Sequence, residues 1–390
     1  MKKIEKWKLN IKMKLRYLQI RYNVAKINSN IIFFFPHYNT GGAERVHLDI
    51  MHSVSEQNIT CFITEQSKDS DLLQEFEKYS KLIELYKWGW QEKYKKRIVK
   101  IIAKKINQIP NVTIFGCNSR FFYDLLPFLH KDVNVIDLVH TFLGEYTNSM
   151  DNYSLKHIEE INTRIVLGEN QRQKQIKFYI DNQINIDYTN RIKVIPNKTT
   201  LPNKIFQKNF SDEVIVLFVA RNSEEKRSEL FIEITKECYK LQLPIKFIMI
   251  GDFEEKNNQV EKNVTITGKI TNVFVLNTYY EKAHMIAITS IFEGFPMVLL
   301  EAMARGAVPI STAVGEIPTY ISENKDTGIL IENSQDELKI KNDFVEKLVF
   351  INNNRELLKK YSLNVQNLVK LAFNEKTFTE KYRNLIIGQK

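Results

Sequence analysis

The stretch TSIFEGFPMVLLEAMARGAVPI, residues 289–310, begins inside one apolar run, MIAITS (285–290), and ends inside another, AVPIST (307–312). Apolar runs this short, bounded by Gly and Pro, read as buried strands. Pro296 suits the first turn of a helix over roughly 297–305, where its missing N–H would have had no partner anyway. The unit is therefore strand, turn, helix, strand, with Glu293 in the turn and Glu301 on the helix, seven residues between them. The same alternation extends in both directions. NIIFFF (30–35), NITCFIT (58–64), VTIFG (112–116), VNVIDLVH (133–140) and RIVLGEN (164–170) are strand candidates separated by helical segments. EVIVLFVA (213–220), IKFIMIGD (245–252), VTITG (264–268) and TGILI (327–331) fill out a second series, with a helix over 227–241 and helical pattern from about 336 onward. Strands alternating with helices imply parallel, doubly wound sheets. The segment IPNKTTLPNKIFQKNFSDE (195–213) reads as the linker between two of them. The expected fold is α/β, two Rossmann-like domains facing a central cleft at their strand C-terminal edges, where ligands bind in such sheets.

Composition narrows the class. A chain of 390 residues exceeds one ordinary core. With 43% hydrophobic and 26% charged residues it is globular, not disordered. Cys61, Cys117 and Cys238 are odd in number and scattered, which argues against a disulfide framework or a Cys-based zinc site and fits a reducing cytoplasm. No apolar run approaches the ~18 residues of a membrane-spanning helix. MKKIEKWKLN is not followed by the apolar core and cleavage site of a secretory signal. Within residues 1–28, nine Lys/Arg accompany one acid, Glu5, and Ile4, Trp7, Ile11, Leu15, Leu18, Tyr22 and Ala25 recur at helical spacing. That stripe suits either a membrane headgroup layer or packing on this protein or a second subunit. A net charge of +10 points to an anionic partner: nucleic acid, a membrane surface or a phosphorylated substrate.

The central stretch suggests its own chemistry. Free N–H groups at the helix start, with Gly294 keeping the backbone open, form an anion site suited to a phosphate. Carboxylates accept from vicinal hydroxyls, so Glu293 and Glu301 flanking that site suggest a sugar at one end and a ribose at the other. Asp69-Ser70-Asp71 has the form some transferases use for a divalent ion, but it precedes a helix and is read as capping. The pattern offers no His/Cys cluster for a metal.

The run SIFEGFPMVLLEAMARGAVPISTAVGEIP resembles the signature of the family 4 retaining glycosyltransferases of the GT-B fold (glycosyl transferases group 1). Further matches follow in order: GGAERV after the first strand, VHTF, VIPN, FVARNSEEKR, MIGD and TGKI, so the resemblance spans roughly 31–335. It implies a donor site in which Glu293 holds hydroxyls of the transferred sugar and Glu301 the ribose. The backbone of Gly294, Phe295, Pro296, Met297 and Val298 would bind sugar and phosphates, and Arg221 and Lys226 would neutralise the diphosphate. Two fixed cations there would stabilise the charge that develops on bond breaking, without a metal. Gly41 and Gly42 would bring backbone N–H groups to the ligand, and His140 would sit by the sugar, with His37 as a competitor. Glu44 and Arg45 are candidates for the acceptor side. Three departures stand out: Ala220 and Arg227 replace usual glycines, and the usual GGIPE reads Gly315-Glu316-Ile317-Pro318-Thr319.

The implied organisation is a basic segment over 1–28, an acceptor-binding domain over 29–205 and a nucleotide-sugar-binding domain over 206–372. A final helix over 373–390 would return to the first domain. The implied activity is metal-independent, retaining hexosyl transfer from a nucleotide-diphosphate sugar, with UDP as the nucleotide, to a hydroxyl of a glycan or lipid-linked glycan in cell-surface polysaccharide synthesis. No cofactor is expected. The enzyme would be cytoplasmic and peripheral at the inner face of the cell membrane, with oligomeric state open. The alternatives are a non-catalytic sugar-nucleotide-binding subunit of a transferase complex and a basic nucleic-acid-binding protein. The second lacks a recognisable module, so no nucleic-acid partner is expected.

Overall fold

The computed structural model describes residues 15–86, 92–253 and 260–388. It divides into two units. The first takes the chain to Val166 together with Arg172–Ile195 and Thr379–Lys390; the second takes Leu167–Gln171 and Pro196–Phe378. The segment expected to be a linker has no regular element over 196–213, yet it belongs to the second unit. There the Gln366 amide brackets the Phe206 backbone, and the Lys208 ammonium closes the end of the helix Val273–Lys282 by donating to the carbonyls of Tyr280 (3.1 Å) and Ala283.

The first unit is built on β1 (Ile31–Phe35), β2 (Ile59–Ile63), β3 (Lys81–Glu84), β4 (Thr113–Cys117), β5 (Asn134–Val139), β6 (Thr163–Val166) and β7 (Ile192–Val194). Among the described residues these form one parallel sheet in the order β3-β2-β1-β4-β5-β6-β7. All five residues of β1 are buried, as a parallel strand covered on both faces requires. Phe34 stacks on Phe62 at 4.9 Å, and Phe33 packs on Phe115 of β4 at 5.5 Å. β3 and β7 were not foreseen: both are short edge strands with polar or half-exposed positions, which break the apolar-run signal.

The second unit holds β8 (Val214–Val219), β9 (Ile245–Ile250), β10 (Val264–Ile266), β11 (Met285–Ile288), β12 (Val308–Thr312) and β13 (Ile329–Ile331), parallel in the order β10-β9-β8-β11-β12-β13. All six lie where the apolar runs put them. Each sheet winds one way from its first strand and then the other, so each has a switch point: between β1 and β4, and between β8 and β11. Helices cover the sheets, and each unit has its own apolar core.

The N-terminal helix is described over residues 15–25. Its packed face is Ile20, Val24 and, just beyond, Ile27, whereas Leu15, Leu18, Tyr22 and Ala25 of the expected stripe face outward. Ile4, Trp7 and Ile11 lie outside the described residues. At the other end, Tyr382 and Ile386 of the helix Glu375–Ile387 are buried in the first unit, where the Thr113 hydroxyl donates to the Ile386 carbonyl at 2.9 Å.

One charged pair lies deep in this first unit. Asp137 of β5 and Arg164 of β6 face each other in register, both fully buried. The guanidinium binds both carboxylate oxygens (Nε–Oδ1 3.2 Å, Nη2–Oδ2 2.6 Å), the Tyr123 hydroxyl donates to Oδ2, and Nη2 also donates to the Ser154 hydroxyl. Removing one partner strands the other charge in low dielectric. Asp137→Ala should therefore destabilise the protein by about 3–5 kcal/mol in urea denaturation, with Asp137→Leu/Arg164→Met losing much less.

Candidate active site

The second unit assembles its site around the loop after β11. Glu293 is mostly buried, and its Oε1 accepts from the Lys226 ammonium at 2.6 Å and from the Ser290 hydroxyl at 2.6 Å. Among the described residues Oε2 receives no hydrogen bond, so one carboxylate oxygen remains available while the other is locked. Lys226 comes from the turn after β8, the strand beside β11 in the sheet, so the pair spans the switch point.

The two loops are tied together by hydrogen bonds to backbone carbonyls. The Thr289 hydroxyl donates to the Lys226 carbonyl at 2.7 Å, and the Ile291 N–H donates to the Glu225 carbonyl at 2.8 Å. Thr312 and Asn333 side chains donate to the carbonyls of Ser290 and Ile291, and the Asn197 amide donates to that of Phe295. Pro296 then caps the helix Met297–Met303 in extended conformation, with no side chain occupying its start. The helix ends two residues earlier than expected, because Gly306 turns left-handed at φ 78°. Glu301, on its second turn, accepts from the Tyr280 hydroxyl at 2.8 Å. Arg221 is largely exposed, with its guanidinium 3.7 Å from Glu225.

The departures from the family pattern have local explanations. Arg227 stands in the left-handed conformation (φ 49°, ψ 51°) that a glycine adopts without strain. Its guanidinium bonds Asn333 at 2.8 Å and the Ser334 carbonyl at 3.1 Å and lies 3.3 Å from Glu337, interactions that offset the strain. Gly315 is also left-handed (φ 57°), and a Cβ there would lie 2.2–2.3 Å from the carbonyl oxygens of Gly294 and Glu293. Glu316 is buried, and its carboxylate accepts the backbone N–H groups of Asn170 (3.3 Å) and Gln171, while its own N–H donates to the Gly294 carbonyl at 2.9 Å. The displaced glycine and acid thus brace the Glu293 loop.

The first unit gathers the remaining candidates at its own switch point. Gly41 caps the helix Gly42–His52 in extended conformation (φ −159°), with Glu44 in its first turn. The preceding loop is held by Asp69 and Asp71: Asp69 accepts from the Thr40 N–H at 3.0 Å, and Asp71 from the Thr40 hydroxyl at 2.7 Å. This corrects the capping expectation. The following helix, Leu73–Tyr79, is capped by Leu72 without a side-chain bond, because the two aspartates are committed to Thr40. His37 lies 3.5 Å from Glu65. His140, just past β5, instead meets a residue the sequence did not single out. Its Nε2 is 3.0 Å from Nε2 of His47, on the helix after β1, and Cys117 at the end of β4 completes a group whose ligand atoms lie within 4.8 Å of one another. The linear pattern offered no His/Cys cluster; the fold assembles one from residues far apart in sequence. Burial drives the His140 imidazole down to about 4, and holds His47 well below the usual range with help from repulsion by His140 and His37. Both rings are neutral at pH 7.

Residues 202–367 match the family model of the glycosyl transferases group 1. Against solved structures, the chain matches TarM with a TM-score of 0.60 at 22% identity, covering 75% of this chain and 58% of that one. It matches Anabaena Alr3699/HepE in complex with UDP with a TM-score of 0.72 at 14% identity, over 92% and 100% of the two chains. The chain has the GT-B fold. Among curated proteins it is 26% identical over 273 residues to poly(ribitol-phosphate) alpha-N-acetylglucosaminyltransferase of Staphylococcus aureus, 66% of this chain and 51% of that protein. It is 29% identical over 161 residues to a Campylobacter jejuni alpha-1,4-N-acetyl-D-galactosaminyltransferase named for an undecaprenol-diphosphate-linked glycan, over 39% and 42% of the two. The chain thus spans about half the length of these relatives.

Because Gly315 carries the contact with the Glu293 loop, its replacement separates two costs. Gly268 is left-handed too (φ 75°), but a Cβ there meets nothing within 4 Å. Gly268→Ala should cost only the about 1–2 kcal/mol of a left-handed alanine. Gly315→Ala should cost clearly more, and a urea titration of both variants measures the difference.

Proposed function

We propose that this protein is a retaining, family 4 glycosyltransferase that moves a hexosyl group from a nucleotide-diphosphate sugar to a hydroxyl of a glycan or lipid-linked glycan, in cell-surface polysaccharide synthesis. The observation that carries the reading is Glu293 at the β8/β11 switch point, with one oxygen locked by Lys226 and Ser290 and the other open. An acceptor-only carboxylate with one free oxygen is suited to a sugar hydroxyl. Glu301, eight positions on, takes the ribose, and the backbone of Gly294–Val298 lies between them for the phosphates. The Lys226 ammonium has further protons for a diphosphate oxygen after serving Glu293, and exposed Arg221 can fold onto the same group. These cations stabilise the charge that develops as the bond breaks, which makes a metal ion unnecessary.

The C1–O bond to the diphosphate breaks, and the acceptor oxygen bonds to C1 on the same face. The acceptor's proton passes to the leaving phosphate oxygen, so configuration is retained without a covalent intermediate. Glu293 and Glu301 hold hydroxyls and are not an acid/base pair of the glycosidase kind. Uridine as the donor's base follows the HepE likeness, whose complex holds UDP.

A panel of sugar nucleotides tests this. A UDP-hexose should release UDP in the presence of acceptor and of EDTA; Arg221→Ala should slow release about 100-fold or more, the scale of removing a group that stabilises developing charge, and Glu293→Ala should slow it as well. Turnover that needs a divalent ion, or unaffected by both substitutions, would overturn the reading.

A lipid-linked acceptor would place the enzyme at the inner face of the cell membrane. The outward Leu15, Leu18 and Tyr22 beside Arg16, Arg21 and Lys26 support such a contact. Deleting residues 1–26 should then abolish sedimentation with anionic liposomes at low salt; unchanged binding would refute the membrane contact alone.

A further inference from the structure

Two imidazoles meet at the switch point of the first sheet, and the sequence pattern accounts for only one of them. We propose that His47 is a positioning residue for the transfer reaction: it fixes the ring and the tautomer of His140, so that His140 offers its Nδ1–H to a substrate oxygen. The proposal rests on the reading of His140 as the sugar-side contact given above.

The 3.0 Å approach of the two Nε2 atoms requires one proton between them, with one nitrogen donating and the other accepting. His47 Nδ1 is buried and has no hydrogen-bond partner. An orphaned buried N–H is rarer than an orphaned acceptor, because a lost donor leaves no second way to be satisfied. The single proton of neutral His47 therefore belongs on Nε2, where it is donated to His140. With Nε2 of His140 accepting, the proton of neutral His140 must sit on Nδ1. The bond fixes which atom of His140 is left for a ligand, and that atom is a donor.

The surroundings hold this arrangement. The His47 ring lies flat on Phe35, centroids 4.0 Å apart and planes within 6°, so it cannot swing away without losing the stack. Cys117 beside the pair is a buried thiol raised well above its usual range, chiefly by burial, so it brings no charge that would protonate either ring. His37, the other titratable ring that acts on His47, repels an added proton. The result is an uncharged donor that can meet a hydroxyl or ring oxygen of the sugar without taking up or releasing a proton at neutral pH.

Imidazole 15N resonances report the tautomer directly, and need no substrate. In the intact protein they should show His140 protonated on Nδ1 and unprotonated on Nε2. His47→Phe keeps an aromatic ring for the stack but removes the donor. It should mix the tautomers of His140 and lower kcat about tenfold, the scale of one hydrogen bond, with a smaller change in donor KM. His47→Gln restores an N–H near the same position and should recover most of kcat. A circular dichroism spectrum establishes that each variant folds; should His47→Phe not fold, the wild-type tautomer and His47→Gln still decide. The proposal is overturned if His140 carries its proton on Nε2, if folded His47→Phe turns over like the wild type, or if the purified protein contains stoichiometric zinc that is lost in Cys117→Ser. If no sugar nucleotide is turned over at all, the proposed function fails, while the tautomer result still shows whether His47 sets His140.

Discussion

A lysine ammonium held 2.6 Å from a mostly buried carboxylate organises the second unit. Each charge offsets part of what it costs to withdraw the other from water. Each therefore dictates where the other's loop must run, and the two loops leave adjacent strands. The bond from the Thr289 hydroxyl to the Lys226 carbonyl, that from the Ile291 N–H to the Glu225 carbonyl, and the close approach of Gly315 to the Glu293 and Gly294 carbonyls are the means by which that distance is kept. The geometry of the Glu293 loop is thus set by residues from several separate segments of the unit.

The first unit uses the same topological position differently. Where the second places a charged pair, the first places two imidazoles that burial keeps uncharged. Under the proposed function, the charged pair meets a diphosphate and its changing charge. A neutral pair can hold an oxygen whose charge should not change. The two sheets share a winding, and their switch points carry opposite electrostatic characters.

Much of this was legible in the sequence. The central strands are buried on both faces, so burial forces a continuous apolar run, and IIFFF, IVLF and MIAI announce themselves. The edge strands Lys81–Glu84 and Ile192–Val194 face solvent, so they carry no such run. The carboxylate spacing and the cations were visible because the family resemblance gave them context. The company they keep in space was not: Ser290 beside Glu293, and His47 beside His140, are ordinary residues until the chain folds. Asp69 and Asp71 show the converse, since two aspartates ahead of a helix look like caps, and only the proximity of Thr40 redirects them. Asp137 and Arg164 were hidden for a related reason. Each is a polar interruption in an apolar strand, and the register that pairs them is set by the sheet.

The bond between Thr113 and Ile386 joins residues 273 positions apart, and Tyr382 lies fully buried beside it. On the ribosome, the sheet of the first unit emerges long before these partners exist. Its central strand β4, whose Phe115 packs on Tyr382, must wait with apolar surface uncovered while the whole second unit is made. Order of synthesis and order of completion are therefore reversed: the unit begun first is finished last.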